Sequence, residues 1–80
     1  MITVQVRLFA TLRRQYPDLD VGEAMSVDLP KEATVGQLVE KLGLPEKQVK
    51  VIFVNGTIRK ESYHLSDGDE VGIFPPVGGG

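Results

Sequence analysis

The sequence predicts an α+β fold, with short strands in one sheet and a single helix covering one face of it. Three observations carry this expectation. MITVQVRL alternates apolar and polar residues with the period of a half-buried strand. ATVGQLVEKLG places apolar residues at helical spacing between a capping threonine and a glycine stop. VNG and DGD are tight-turn signals that divide the second half of the chain into short strands.

In the first strand Ile2, Val4, Val6 and Leu8 share one face, while Thr3, Gln5, Arg7 and Phe9 share the other. Residues 10–16 suit a short helical stretch that Pro17-Asp18 ends. AMSVDL reads as a second strand, alternating through Met25, Val27 and Leu29, and is expected to pair with the first as a hairpin with a long connection. Thr34 stands three residues before Gln37, the spacing of a capping box. Val35, Leu38, Val39 and Leu42 then form one apolar stripe, and Gly43 and Pro45 bar continuation. Residues 49–54 form a strand with apolar residues on both faces, as in a sheet interior. Asn55-Gly56 is a hairpin turn, followed by a short strand near 57–59 and an irregular stretch over 60–66. Asp67-Gly68-Asp69 turns into a last strand over 70–74, with Val71 and Ile73 facing inward. The order is β-β-α-β-β-β. Val51 and Phe53 are expected in the core. Phe9, Ile52 and Phe74 are expected on the open face, beside Gln5, Arg7 and Gly72.

A chain of 80 residues supports one small core and leaves little room for a deep pocket, which argues against an enzyme with its own buried active site. The apolar fraction of 41% and charged fraction of 25% are those of an ordinary globular protein. Nine basic and 11 acidic residues give a net charge of -2, the basic ones scattered along the chain, so nucleic-acid binding is disfavoured. No apolar run approaches a membrane span, and the N-terminus lacks the continuous apolar stretch of a signal peptide. Without cysteine there is no disulfide, thiolate ligand or thiol nucleophile. These features fit a cytoplasmic protein that works without membrane or nucleic acid.

The catalytic inventory is sparse. His64 is the single histidine and lies in a polar stretch that suits a solvated side chain. Ser26, Ser62 and Ser66 lack a nucleophile-elbow setting. Asp67, Asp69 and Glu70 are explained by turn chemistry and a solvated edge, and no metal site is expected. Gly36 and Gly43 lack the spacing and lysine of a phosphate loop.

The C-terminal PPVGGG is different. The last strand holds its root in the sheet, and Pro75 and Pro76 end that strand and start an extended arm. Val77 offers one apolar grip, and Gly78, Gly79 and Gly80 are as slim as a polypeptide can be. Six residues separate Phe74 from Gly80, roughly 20 Å when extended. A stiff root with a thin tip suits threading through a narrow channel, and the Gly80 carboxylate is the candidate working group. The division expected is a domain over 1–74 and an arm over 75–80.

VRLFATLRR, TVGQLVEKLG, VNG, DGDEV and FPPVGGG together resemble the ubiquitin-like β-grasp sulfur carriers of the MoaD/ThiS family, and FPPV before the glycines points to its molybdopterin-synthase small-subunit (MoaD) branch. The resemblance covers essentially the whole chain. It implies a mixed sheet of four to five strands on one helix. It also implies that an E1-like (MoeB-like) adenylating enzyme uses ATP and Mg²⁺ to convert the Gly80 carboxylate to an acyl-adenylate. A sulfur donor such as a desulfurase or rhodanese then replaces AMP, leaving a thiocarboxylate. That tail would enter a MoaE-like large subunit, with Gly78 and Gly79 threading and Phe74, Pro75, Pro76, Val77, Phe9 and Ile52 meeting the partner. Gly78 departs from the family, where alanine is frequent, but both residues are small. No cofactor is expected to stay bound. Other acceptors remain open within the same chemistry: thiamin precursors, tRNA bases, amino-acid synthesis, or lysines of proteins in a ubiquitin-like modification, and the final pterin cofactor is open between molybdenum and tungsten. An inert-tailed β-grasp interaction module is the reading from another class.

Overall fold

A computed structural model describes residues 1–20 and 22–76. Strand β1 (Ile2–Leu8) pairs antiparallel with β2 (Met25–Leu29) on one side and parallel with β5 (Glu70–Phe74) on the other. β5 also pairs antiparallel with β3 (Val51–Val54), which forms a hairpin with β4 (Thr57–Ile58). The five-stranded sheet therefore runs β2-β1-β5-β3-β4, with the last strand at its centre. This is the mixed sheet of a β-grasp.

Helix α1 (Val35–Lys41) starts where expected. The Thr34 side chain accepts from the Gln37 N–H at 3.2 Å, and the Gln37 side chain accepts from the Thr34 N–H at 2.8 Å. Its apolar stripe of Val35, Leu38, Val39 and Leu42 is buried against the strands' inner residues. Leu12, Leu44 and Leu65, from the connecting segments, close the edges of that core. Residues Ala10–Gln15 wind as a 3-10 helix, and a second short one over Glu46–Gln48 delays β3 to Val51. Asn55 and Gly56 take φ of 52° and 83°, the two left-handed residues that a tight hairpin turn of matching twist needs.

Strand β3 corrects one expectation. Ile52 and Val54 face the core, Ile52 being only 5% exposed, while Val51 and Phe53 are half-buried on the opposite face. The reason is register. All four residues of VIFV are apolar, so periodicity cannot choose a face. The choice is made by pairing with β5, where Ile52 lies opposite Ile73 and Val54 opposite Val71, both core residues.

Candidate functional site: the open sheet face and the tail root

The face of the sheet away from the helix divides in two. Toward β2 it is polar: Thr3 Oγ1 donates to Asp28, Gln5 bonds Ser26, and the Arg7 guanidinium pairs with Glu70 at 3.1 Å. Toward the ends of β1 and β5 it is aromatic. Phe9 and Phe74 stack face to face with centroids 4.2 Å apart, and Phe53 meets Phe74 edge-on at 5.5 Å. Gly72 lies directly beneath the rings. A Cβ there would stand 3.3 Å from Phe9 Cε2 and 3.6 Å from Phe74 Cε1, so the bare backbone leaves room for the rings. A groove of about 370 Å³ runs over Gly72 between Phe9 and Phe53, with Arg7 and Glu70 along its wall.

The root of the tail is held from both sides. The Phe9 N–H donates to the Ile73 carbonyl at 3.1 Å, and the Lys50 N–H donates to the Phe74 carbonyl at 2.9 Å. Directly after Phe9, Ala10 adopts a left-handed φ of 53°, an uncommon conformation for a non-glycine residue that turns the chain out of β1 into the 3-10 helix. β5 ends at Phe74; Pro75 is half-buried and Pro76 exposed.

Of the residues expected at the partner surface, Phe9, Phe74 and Pro75 lie together at this root. Ile52 does not, because it is buried behind the sheet. Phe53 takes the place expected for Ile52, joined by Val51 and by Ile58, the register partner of Phe53. Val77, Gly78, Gly79 and Gly80 lie outside the described residues.

The carboxylate cluster is also sorted by the fold. Asp69 is only 7% exposed, not solvated: it accepts from the Ser66 N–H at 2.7 Å and from Asn55 Nδ2 at 2.9 Å, tying the turn before β5 to the β3–β4 turn. Asn55 returns a bond, its Oδ1 accepting from the Glu70 N–H. Asp67 accepts from the Thr3 N–H, and Glu70 pairs with Arg7. His64 is exposed, with Nδ1 2.8 Å from the Glu32 carbonyl. Among the described residues no group of three or more metal-ligating side chains converges, and no helix is long and apolar enough to cross a membrane. A cleft of about 590 Å³ near the start of α1, lined by Thr34, Gln37, Glu40, Glu61 and Ser62, lies away from the tail and gathers no nucleophile–base pair.

Comparison with known proteins fits this geometry. The sequence pattern of the ThiS family matches residues 6–80. Among solved structures, a candidate molybdopterin converting factor subunit 1 from Pyrococcus furiosus is 30% identical, with a TM-score of 0.78 over 96% of this chain and 100% of that one. SAMP1 from Haloferax volcanii is 26% identical, with a TM-score of 0.71 over 98% of this chain and 99% of that one. A chain from the complex of subunits 1 and 2 of the molybdopterin-converting factor of Helicobacter pylori shares the fold, at 24% identity and a TM-score of 0.63 over 99% and 100%. No curated protein sequence matches significantly.

Proposed function

The chain belongs to the ThiS family of ubiquitin-like sulfur carriers, and we propose that it carries sulfur as a thiocarboxylate on Gly80 for molybdopterin synthesis. One observation carries the reading: β5, the central strand, is anchored on both flanks up to Phe74 and hands over to two prolines and a glycine arm. A fixed root sets where a slender arm begins, which lowers the entropy lost when it enters a partner's channel.

The proposed chemistry places the working group on the arm and its activation on a partner. A carboxylate is a poor electrophile, so a partner must activate it. In the proposed sequence, a Gly80 carboxylate oxygen attacks the α-phosphorus of ATP on an E1-like enzyme, with Mg²⁺ neutralising the phosphates, and pyrophosphate leaves. Sulfide, released from a donor persulfide by a reducing thiol that is itself oxidised to a disulfide, then attacks the acyl carbon, AMP leaves, and the thiocarboxylate forms. Phe74, Phe9, Pro75, Pro76 and Val77 seat the carrier on the large subunit, while Gly78 and Gly79 pass the channel. Phe53, which the fold brings beside Phe74, joins that contact in place of Ile52. The Pyrococcus furiosus relative's description supports the molybdopterin acceptor. The likeness to SAMP1, a small archaeal modifier, supports a second reading in which the same acyl-adenylate is passed to protein lysines.

The test is intact mass. Incubation with an E1-like enzyme, ATP and a sulfur donor should replace one oxygen by sulfur, located at Gly80 by tandem sequencing. A chain lacking Gly79 and Gly80 should fold normally and stay unmodified. An unchanged mass for the full chain under these conditions would refute the carrier chemistry. Transfer to lysine in place of sulfur loading would select the modifier reading.

A further inference from the structure

Basic residues that look scattered along the sequence are gathered by the β3–β4 hairpin. Residues 47–60 contain Lys47, Lys50, Arg59 and Lys60 and no Asp or Glu, in a chain with nine basic and 11 acidic residues. All four are exposed. The pairing of Phe53 with Ile58 is extended by the Arg59 N–H, which donates to the Ile52 carbonyl at 2.9 Å. Lys50, Arg59 and Lys60 thereby line one shallow groove of about 310 Å³ at the open end of the hairpin, together with Glu61. Arg59 is steadied over the Tyr63 ring at 4.6 Å. The same end of the hairpin adjoins the tail root, where Val51 lies opposite Phe74. Ile58, 62% exposed, shares this edge.

The far edge of the sheet has the opposite sign. Residues 15–30 contain Asp18, Asp20, Glu23 and Asp28 and no Lys or Arg. Arg7, Arg13 and Lys41 reach carbonyls of Gly22, Leu19 and Asp28 there and dilute the charge. At the hairpin edge Glu61 lines the groove, but the ion pair found among the described residues is Arg7–Glu70, elsewhere on the sheet. β2 and β4 are the two outer strands, about 19 Å apart at ordinary strand spacing. The charges form a dipole in the plane of the sheet, its positive pole beside the tail root.

We propose that the β3–β4 edge steers docking, and that its partner is a protein surface carrying carboxylates around an apolar centre, next to the channel that receives the tail. The proposal rests on the carrier reading and names the chemistry of the surface that reading requires. Exposed Ile58 beside the cations, and the acidic pole on the same sheet, favour protein over nucleic acid. Charges at the rim of an interface act mainly on the association rate, in a salt-dependent way.

The experiment measures association of the full chain with the synthase large subunit of the same organism by stopped flow, at low and physiological salt. The combined variant Lys50→Glu, Arg59→Glu, Lys60→Glu is compared with wild type, and Lys31→Glu serves as a charge change away from this edge. Circular dichroism checks that each is folded. The triple variant should associate about tenfold more slowly or worse at low salt, lose most of its salt dependence, and dissociate at nearly the wild-type rate. Lys31→Glu should change little. Equal rates for the triple variant and wild type would overturn the proposal, as would a matching loss per charge in Lys31→Glu. So would wild-type binding to a single-stranded oligonucleotide but not to the large subunit or the activating enzyme. Sulfur loading, read separately by mass, tells failure of this inference from failure of the carrier reading.

Discussion

Ile73 and Phe74 are neighbours on β5 and serve opposite faces of the sheet. Ile73 is 0% exposed and packs beneath the helix among branched aliphatic residues. Phe74 is half-buried, touches Phe9 and Phe53, and stands at the tail root. The core face is uniform and sealed, so a change there is felt as lost packing. The open face is split into a polar ladder and an aromatic end, and part of its apolar surface stays uncovered in the single chain. Stability and the proposed docking thus fall to alternate residues of the same strands.

Four substitutions would break or sharpen this contrast. Ile73→Ala should cost roughly 2–5 kcal/mol in urea unfolding, a large share of a small domain's total. Asp69→Ala tests whether the buried side is held by packing alone. It removes the acceptor of the Ser66 N–H and Asn55 Nδ2 and should cost about 1–3 kcal/mol by the same measurement. Phe74→Ala should cost only about 1–2 kcal/mol of stability, because the ring is half-exposed and its contacts are mainly aromatic pairs. Its larger effect should appear as weakened binding to the large subunit in calorimetry. Binding that stays intact would separate the aromatic end from docking. Glu70→Gln removes an exposed pair whose side chains are 39% and 62% accessible, and its unfolding free energy in urea should change by less than about 0.5 kcal/mol.

Much of the fold was legible because local signals agreed. ITVQVRL has one face by alternation, Thr34 and Gln37 announce the helix, and Asn55-Gly56 announces the hairpin. Ile52 and Phe53 were not legible, since a strand apolar at every position leaves its facing to a partner strand far away in sequence. Asp69 was hidden for a related reason: Asp-Gly-Asp reads as a solvated turn until Asn55 and Ser66 arrive to enclose the second carboxylate. The cationic edge needed the hairpin pairing to join residues on either side of the turn. At the candidate site, the tail root was readable from Phe-Pro-Pro, whereas Phe53 and Ile58 join it only through register.

The parallel pairing of β1 with β5 has a consequence for how the molecule is made. Its contacts, such as Gln5 with Glu70, join residues at opposite ends of the chain, and closing so long a loop is among the slower events of folding. The sheet has no middle until β5 has been synthesised and inserted. A nascent or damaged chain lacking that strand has no anchored root from which to offer an arm. Synthesis of β5, completion of the sheet and seating of the Phe74 root therefore coincide in a single event.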